Sequence, residues 1–208
     1  IITTYYDPLI GTEIGELIRP ETRIIFTESP GSQTFEIQDI SAITDTGHAQ
    51  GCTVLMDNTW ATSLFFRPFD HGVDVVIQAA TKYIVGHSDA MLGVITTTES
   101  AFESVQRAAL DFGAPPGPDD LYLGQRGLRT LRVRLDRHME TGLTIAKWLK
   151  AQNQVARVLH PGIPDDPGHS LWLRDFQGAS GLFGVVLKKA TKAALAAMLD
   201  GMKLFKMG

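Results

Sequence analysis

The feature that most constrains this chain is a recurrence. Short β-branched apolar runs alternate with stretches of helical period: Arg23-Ile24-Ile25-Phe26-Thr27, Thr53-Val54-Leu55-Met56-Asp57, Val73-Asp74-Val75-Val76-Ile77 and Leu92-Gly93-Val94-Ile95-Thr96-Thr97. Continuous apolar runs of this length are what strands buried on both faces present. Between the first two runs, residues 36–50 place Ile37, Ile40 and Ile43 on one helical face. The order strand–helix–strand predicts parallel pairing through a crossover, hence an α/β fold with a mostly parallel sheet flanked by helices.

Sheets of this kind collect ligands outside the carboxyl ends of their strands. Asp57 closes its run and falls at that edge, and Lys82 comes one strand later in Ala80-Thr81-Lys82-Tyr83-Ile84-Val85-Gly86-His87-Ser88-Asp89. Two such strands side by side would aim a carboxylate and an amine into one cleft. Pyridoxal 5′-phosphate needs that pair: its aldehyde takes a lysine amine, and its ring nitrogen takes an acid partner. The apolar neighbours Ile77, Ala79, Ala80, Ile84 and Val85 predict little exposure of the Lys82 amine to water. Burial favours the unprotonated amine that Schiff-base chemistry requires. Thr81 and Ser88 offer hydroxyls for a phosphate, although Ser88 equally suits the turn it occupies. The plainer readings are an aspartate capping the next turn and a surface lysine with its stem along apolar neighbours.

Other chemistries lack their patterns. His71, His87 and Asp89 with Asp57 do not have the spacing of a metal site. No glycine-rich nucleotide loop succeeds a strand, and Gly178-Ala179-Ser180-Gly181 departs from the nucleophile elbow of serine hydrolases. The net charge of −4 gives no reason to expect nucleic acid or an anionic membrane as a partner. No apolar run reaches the roughly 18 residues of a membrane span. A single cysteine, Cys52, excludes an internal disulfide and fits a cytoplasmic setting; we read it as a core residue.

Residues 101–112 have a helical period, which Pro115, Pro116 and Pro118 bring to an end. Asp119 and Asp120 then open one long helical pattern carrying Leu121, Leu128, Leu131, Leu135, Met139, Leu143, Ala146 and Leu149. Arg126, Arg129, Arg132, Arg134 and Arg137 lie between these positions and read as a solvated or subunit-facing surface. A strand at 155–159, a turn-rich stretch at 160–169, a strand at 181–187 and a helix from Thr191 complete the expectation. These elements divide into residues 1–130, part of a large cofactor domain, and 131–208, a linking helix with the first part of a smaller C-terminal domain.

The lysine run, preceded by Asp57-Asn58-Thr59, resembles the Cys/Met-metabolism family of pyridoxal-phosphate-dependent enzymes. Tyr6-Asp7-Pro8-Leu9-Ile10-Gly11, Glu28-Ser29-Pro30-Gly31-Ser32, Arg126-Gly127-Leu128-Arg129-Thr130-Leu131, Trp172-Leu173-Arg174-Asp175-Phe176 and the stretch 178–187 extend the likeness along the chain. The resemblance implies a fold type I architecture, pyridoxal 5′-phosphate as cofactor, a small amino-acid substrate and a homotetramer built from dimers. It assigns Lys82 to the cofactor aldehyde and to proton transfer, Asp57 to the ring nitrogen, and Thr81 to the phosphate. Ser32 stands where many members carry an asparagine facing the ring hydroxyl, which favours the branch that cleaves L-cystathionine by β-elimination to homocysteine, pyruvate and ammonia. A γ-eliminating member, or a non-catalytic piece that keeps the fold, is the alternative. Ala79 replaces a serine common in the family, so Thr81 must share the phosphate with residues elsewhere. The family's phosphate loop, ring-stacking tyrosine and carboxylate-binding arginine find no match here, so the chain is expected to be the middle of a longer enzyme.

Overall fold

The computed structural model describes residues 1–204. Its larger sheet has the order β1-β2-β3-β4, from β1 (Ile24–Glu28), β2 (Thr53–Asp57), β3 (Val75–Gln78) and β4 (Val94–Thr97). β1, β2 and β3 run parallel, and β4 returns antiparallel against β3. The register places Glu28 beside Asp57 and Asp57 beside Ile77, so two carboxylates share one carboxyl edge. α1 (Ile40–Ala49) connects β1 to β2 and is capped by Asp39, whose carboxylate accepts from the Ala42 N–H at 3.2 Å. It starts later than the apolar spacing predicts, because residues 31–36 form a turn closed by Gly31 N–H on Glu36 O at 3.0 Å.

The sheet is not covered on both faces, as its apolar runs predict. Ile25, Thr27, Val54 and Met56 are buried, whereas the alternate residues Ile24 and Phe26, with Ile95 on β4, are exposed. Among the described residues, the packed face supplies most of the sheet's core; on the other face Val75, in register with Leu55 and Phe26, is the buried residue of β3. One cluster joins Ile37, Ile40, Met56, Phe65, Phe66 and Val76 to Leu135, Phe176 and Ala179, and a second gathers Ile14, Ile25, Ile43, Cys52 and Val54. Cys52 is therefore a core thiol, and burial raises its pKa.

After β2 comes the one-turn α2 (Thr62–Phe65), and after β4 the exposed α3 (Glu99–Asp111). The single long helix expected next is two helices, α4 (Pro118–Leu128) and α5 (Leu131–Lys150). They part at Arg129 and Thr130 because the Gly127 carbonyl is taken by the Thr130 N–H at 3.1 Å, the Thr130 hydroxyl at 3.2 Å and Arg134 Nη2 at 2.9 Å. α4 is then free to lie against the segment between β3 and β4, where Gly124 meets Leu92 and Gly127 meets Ile84. β5 (Val155–Leu159) and β6 (Gly184–Leu187) form a separate antiparallel pair. α6 (His169–Asp175) lies just past the turn-rich stretch, where the sequence predicts no helix, and α7 (Lys192–Asp200) is the last element among the described residues. Among the described residues, no helix is long and apolar enough to cross a membrane.

Candidate active site

A cavity of about 1080 Å³ opens at the carboxyl edge of the sheet. Glu28 and Thr59 reach it from the ends of β1 and β2, Thr81 and Lys82 from the turn after β3, Ser88 and Met91 from the next loop, and Arg134, His138 and Leu182 from later elements. The chain arrives there because parallel strands release their connections at one edge.

Lys82 does not end a strand. It sits four residues past β3, in a turn closed by Lys82 N–H on Ala79 O at 2.9 Å, Val85 N–H on Ala80 O at 2.8 Å and Gly86 N–H on Lys82 O at 2.9 Å. Nor is its side chain shielded, as the apolar neighbours predict: Lys82 is exposed to the cavity while Ala80, Ile84 and Val85 are buried. The turn divides these residues between two sides, sending the apolar ones into the core and the amine outward.

Asp57 is half-buried and one step removed from the cavity wall. It adopts the turn-capping geometry, its Oδ1 accepting from the Thr59 N–H at 2.8 Å. That contact is the first of a series. The Thr59 hydroxyl accepts from the Ala79 N–H at 2.8 Å, and the Ala79 carbonyl receives the Lys82 N–H. Three successive hydrogen bonds thus fix the Asp57 loop to the Lys82 turn across neighbouring strands. The Thr81 hydroxyl lines the cavity but is engaged by Leu92, accepting from its N–H at 2.8 Å and donating to its carbonyl at 3.2 Å.

Three wall residues carry charge or titratable groups to which the sequence pattern assigns no role. Glu28 has its pKa raised, first by burial and further by the Asp57 charge beside it, against a lowering hydrogen bond from the Ser32 backbone. Tyr83, half-buried with its pKa raised by burial, packs its ring 5.9 Å from that of His138. Arg134 is not the solvated residue that the arginine run suggests; it donates to carbonyls of the lysine turn, and burial lowers its pKa. Helical spacing could have singled it out, since position 134 flanks the inward positions Leu131 and Leu135. Arg126, Arg132 and Arg137 do make exposed ion pairs, with Asp89, Asp136 and Glu140 respectively. No group of His, Cys, Asp and Glu among the described residues is arranged to hold a metal ion.

A cleft that presents one primary amine, hydroxyls on either side of it and the Glu28 carboxylate at a strand end, with Asp57 just behind the wall, suits the chemistry of a pyridine aldehyde phosphate. The sheet and this donor set define a fold type I pyridoxal-phosphate enzyme. The profile of the Cys/Met metabolism PLP-dependent enzymes matches residues 1–208, and the chain belongs to that family. A Rhizobium johnstonii relative, provisionally named a cystathionine β-lyase, is 49% identical and spans 98% of this chain and 52% of its own. The cystathionine β-lyase of Escherichia coli K12 is 46% identical, over 100% of this chain and 53% of its own. The crystal structure of cystathionine γ-lyase from Lactobacillus plantarum complexed with L-serine superposes with a TM-score of 0.93 at 27% identity, over 99% of this chain and 54% of that one. The chain therefore spans about half the length of the relatives it matches.

Proposed function

We propose that the protein carrying this chain is a pyridoxal-phosphate-dependent carbon–sulfur β-lyase that cleaves L-cystathionine with water to homocysteine, pyruvate and ammonia. The observation that carries the reading is the fixed relation of Asp57 to Lys82 through Thr59 and Ala79, at the edge of a cavity large enough for cofactor and substrate together. The name of the Escherichia coli relative supports the choice of substrate. When bound, the cofactor supplies an electron sink for the pair released at the substrate α-carbon.

Lys82 Nζ would hold the cofactor aldehyde and is the base placed to take the substrate α-proton; its exposure on the cavity wall leaves it free for both tasks. Asp57 is the carboxylate for the ring nitrogen, and its bond to the Thr59 N–H fixes its orientation. Thr81 would offer its hydroxyl to the phosphate, which requires giving up the bond to the Leu92 carbonyl. The α-proton taken by Lys82 is available for return to the departing thiolate, so the proton balance closes without another acid. In this reading residues 1–130 belong to the large cofactor domain, 131–208 lead into the C-terminal one, and the protein assembles as a homotetramer.

The similarity to a γ-lyase structure favours γ-elimination as the second reading. The full-length protein, loaded with pyridoxal phosphate, reduced with borohydride and digested, is expected to carry the cofactor mass on the peptide containing Lys82, and L-cystathionine is expected to yield pyruvate. 2-Oxobutyrate as the product would establish γ-cleavage. Label on another residue, or full turnover by Lys82→Ala, would refute the lysine assignment.

A further inference from the structure

Arg134 stands in the first turn of α5, yet its side chain crosses to the turn that carries Lys82. Nη1 donates to the Tyr83 carbonyl at 2.8 Å, and Nη2 to the carbonyls of Ile84 at 3.4 Å and Gly127 at 2.9 Å. Nε donates to the Thr130 hydroxyl at 3.0 Å. Tyr83 and Ile84 are the two residues directly after Lys82. Among the described residues no carboxylate pairs with this guanidinium, so its contacts are to four neutral oxygens shared among its three nitrogens.

Two glycines allow so close an approach. At Gly86, whose φ of +75° already favours glycine, an added Cβ would overlap the guanidinium. At Gly127 it would overlap the Ile84 carbonyl oxygen and lie 2.6 Å from that of Val85. The turn from Lys82 to Gly86 is thereby held between α4 on one side and the Arg134 fork on another.

We propose that Arg134 is a positioning residue for Lys82: by fixing the Tyr83 and Ile84 carbonyls it sets the direction in which the lysine leaves the backbone. The inference rests on the reading of Lys82 as the cofactor-bearing amine. A lysine stem has four rotatable bonds, so the aim of its amine depends on a backbone that does not rotate. A misplacement of about 1 Å at a reacting group can cost about 100-fold in rate. Lysine cannot take the place of Arg134, because an ammonium is a compact charge without the planar fork that meets several oxygens at once.

The test uses Arg134→Met, Arg134→Lys and Thr130→Val in the full-length protein. In the cofactor-free state, hydrogen exchange at the Val85 and Gly86 amides, which close the lysine turn, should quicken about tenfold or more in both Arg134 variants. With pyridoxal phosphate added, borohydride-trapped label on the Lys82 peptide should form about 10- to 100-fold more slowly, and Arg134→Lys should not restore the rate. Thr130→Val frees Nε and also removes the hydroxyl's bond to the Gly127 carbonyl; it should give about a threefold change in the same direction and decides the matter if Arg134→Met does not fold. Unchanged exchange at residues 85 and 86 in these variants, or full rescue by Arg134→Lys, overturns the proposal. If the unmodified protein fails to capture the cofactor at Lys82, the functional reading falls, and the exchange data still decide whether Arg134 holds the turn.

Discussion

His160 should make this chain sensitive to mild acid. The residue ends the β5 connection with no exposure to solvent, its ring 6.3 Å from that of Trp60 and 5.7 Å from that of Phe183. Its Nδ1 accepts from the Gly162 N–H at 2.9 Å, which leaves the proton on Nε2, and Nε2 has no partner. A second proton would have to enter at Nδ1, against the amide already pointing there. Burial pushes the imidazole from 6.5 down to about 4. Well above pH 6.5 both folded and unfolded states are neutral, and the group contributes nothing to the pH dependence. As the pH falls, the unfolded chain binds the proton first, so unfolding becomes easier until the folded state also titrates near its lowered value. At about 1.4 kcal/mol per pH unit, the full interval is worth about 3 kcal/mol. His160→Phe keeps a ring in the site and removes the titration, while its loss of the Gly162 bond is the same at every pH. Urea unfolding of both chains from about pH 7.5 to about pH 4.5 should show the parent losing about 2.5 kcal/mol more than the variant. Parallel stability curves for the two proteins would refute the assignment of a buried neutral imidazole.

Packing sets two further outcomes. Gly127→Ala places a methyl against the Ile84 and Val85 carbonyls and should destabilise the chain by about 1–3 kcal/mol in the same assay, with faster exchange of the lysine turn. Cys52 is 4% exposed with a raised pKa, so an aromatic disulfide reagent should label it only as fast as the chain opens, and added urea should accelerate the reaction sharply.

Much of the sheet was legible because a strand period is local. The run 53–57 is a strand over those same residues, and the other three runs overlap strands whose bounds shift by one or two residues. What periodicity cannot report is what covers each face: the exposed Ile24 and Phe26 read no differently from buried neighbours. The break between α4 and α5 was hidden for a related reason. The apolar spacing runs on through Leu128 and Leu131, whereas the break depends on the Gly127 carbonyl meeting an arginine one helix later. At the site, residue identity pointed to Lys82, Asp57 and Thr81, but not to their settings. The exposure of Lys82 depends on how a turn sorts its neighbours, and the Asp57 bond to Thr59 is a local contact that its functional reading had set aside.

Glu28, Arg134, His138 and Leu182 join the cavity only through tertiary structure, and this bears on how the site is maintained. Trp60 Nε1 donates to the Leu182 carbonyl at 2.8 Å, and Arg134 reaches the Tyr83 carbonyl from α5. Both contacts close long loops, whose entropy must be offset before they form. The sheet edge, by contrast, is assembled from strands adjacent in sequence. An excursion that released α5 or the segment around Leu182 would therefore leave the strand register of Glu28 and Asp57 intact while freeing the lysine turn. Asp57 and Lys82 are joined through the Thr59 hydroxyl and the Ala79 backbone, which survive such an excursion; the aim of the amine is set by Arg134, which does not. The carboxylate end of the site is thus as stable as the sheet, and the amine end is only as stable as the docking of α5.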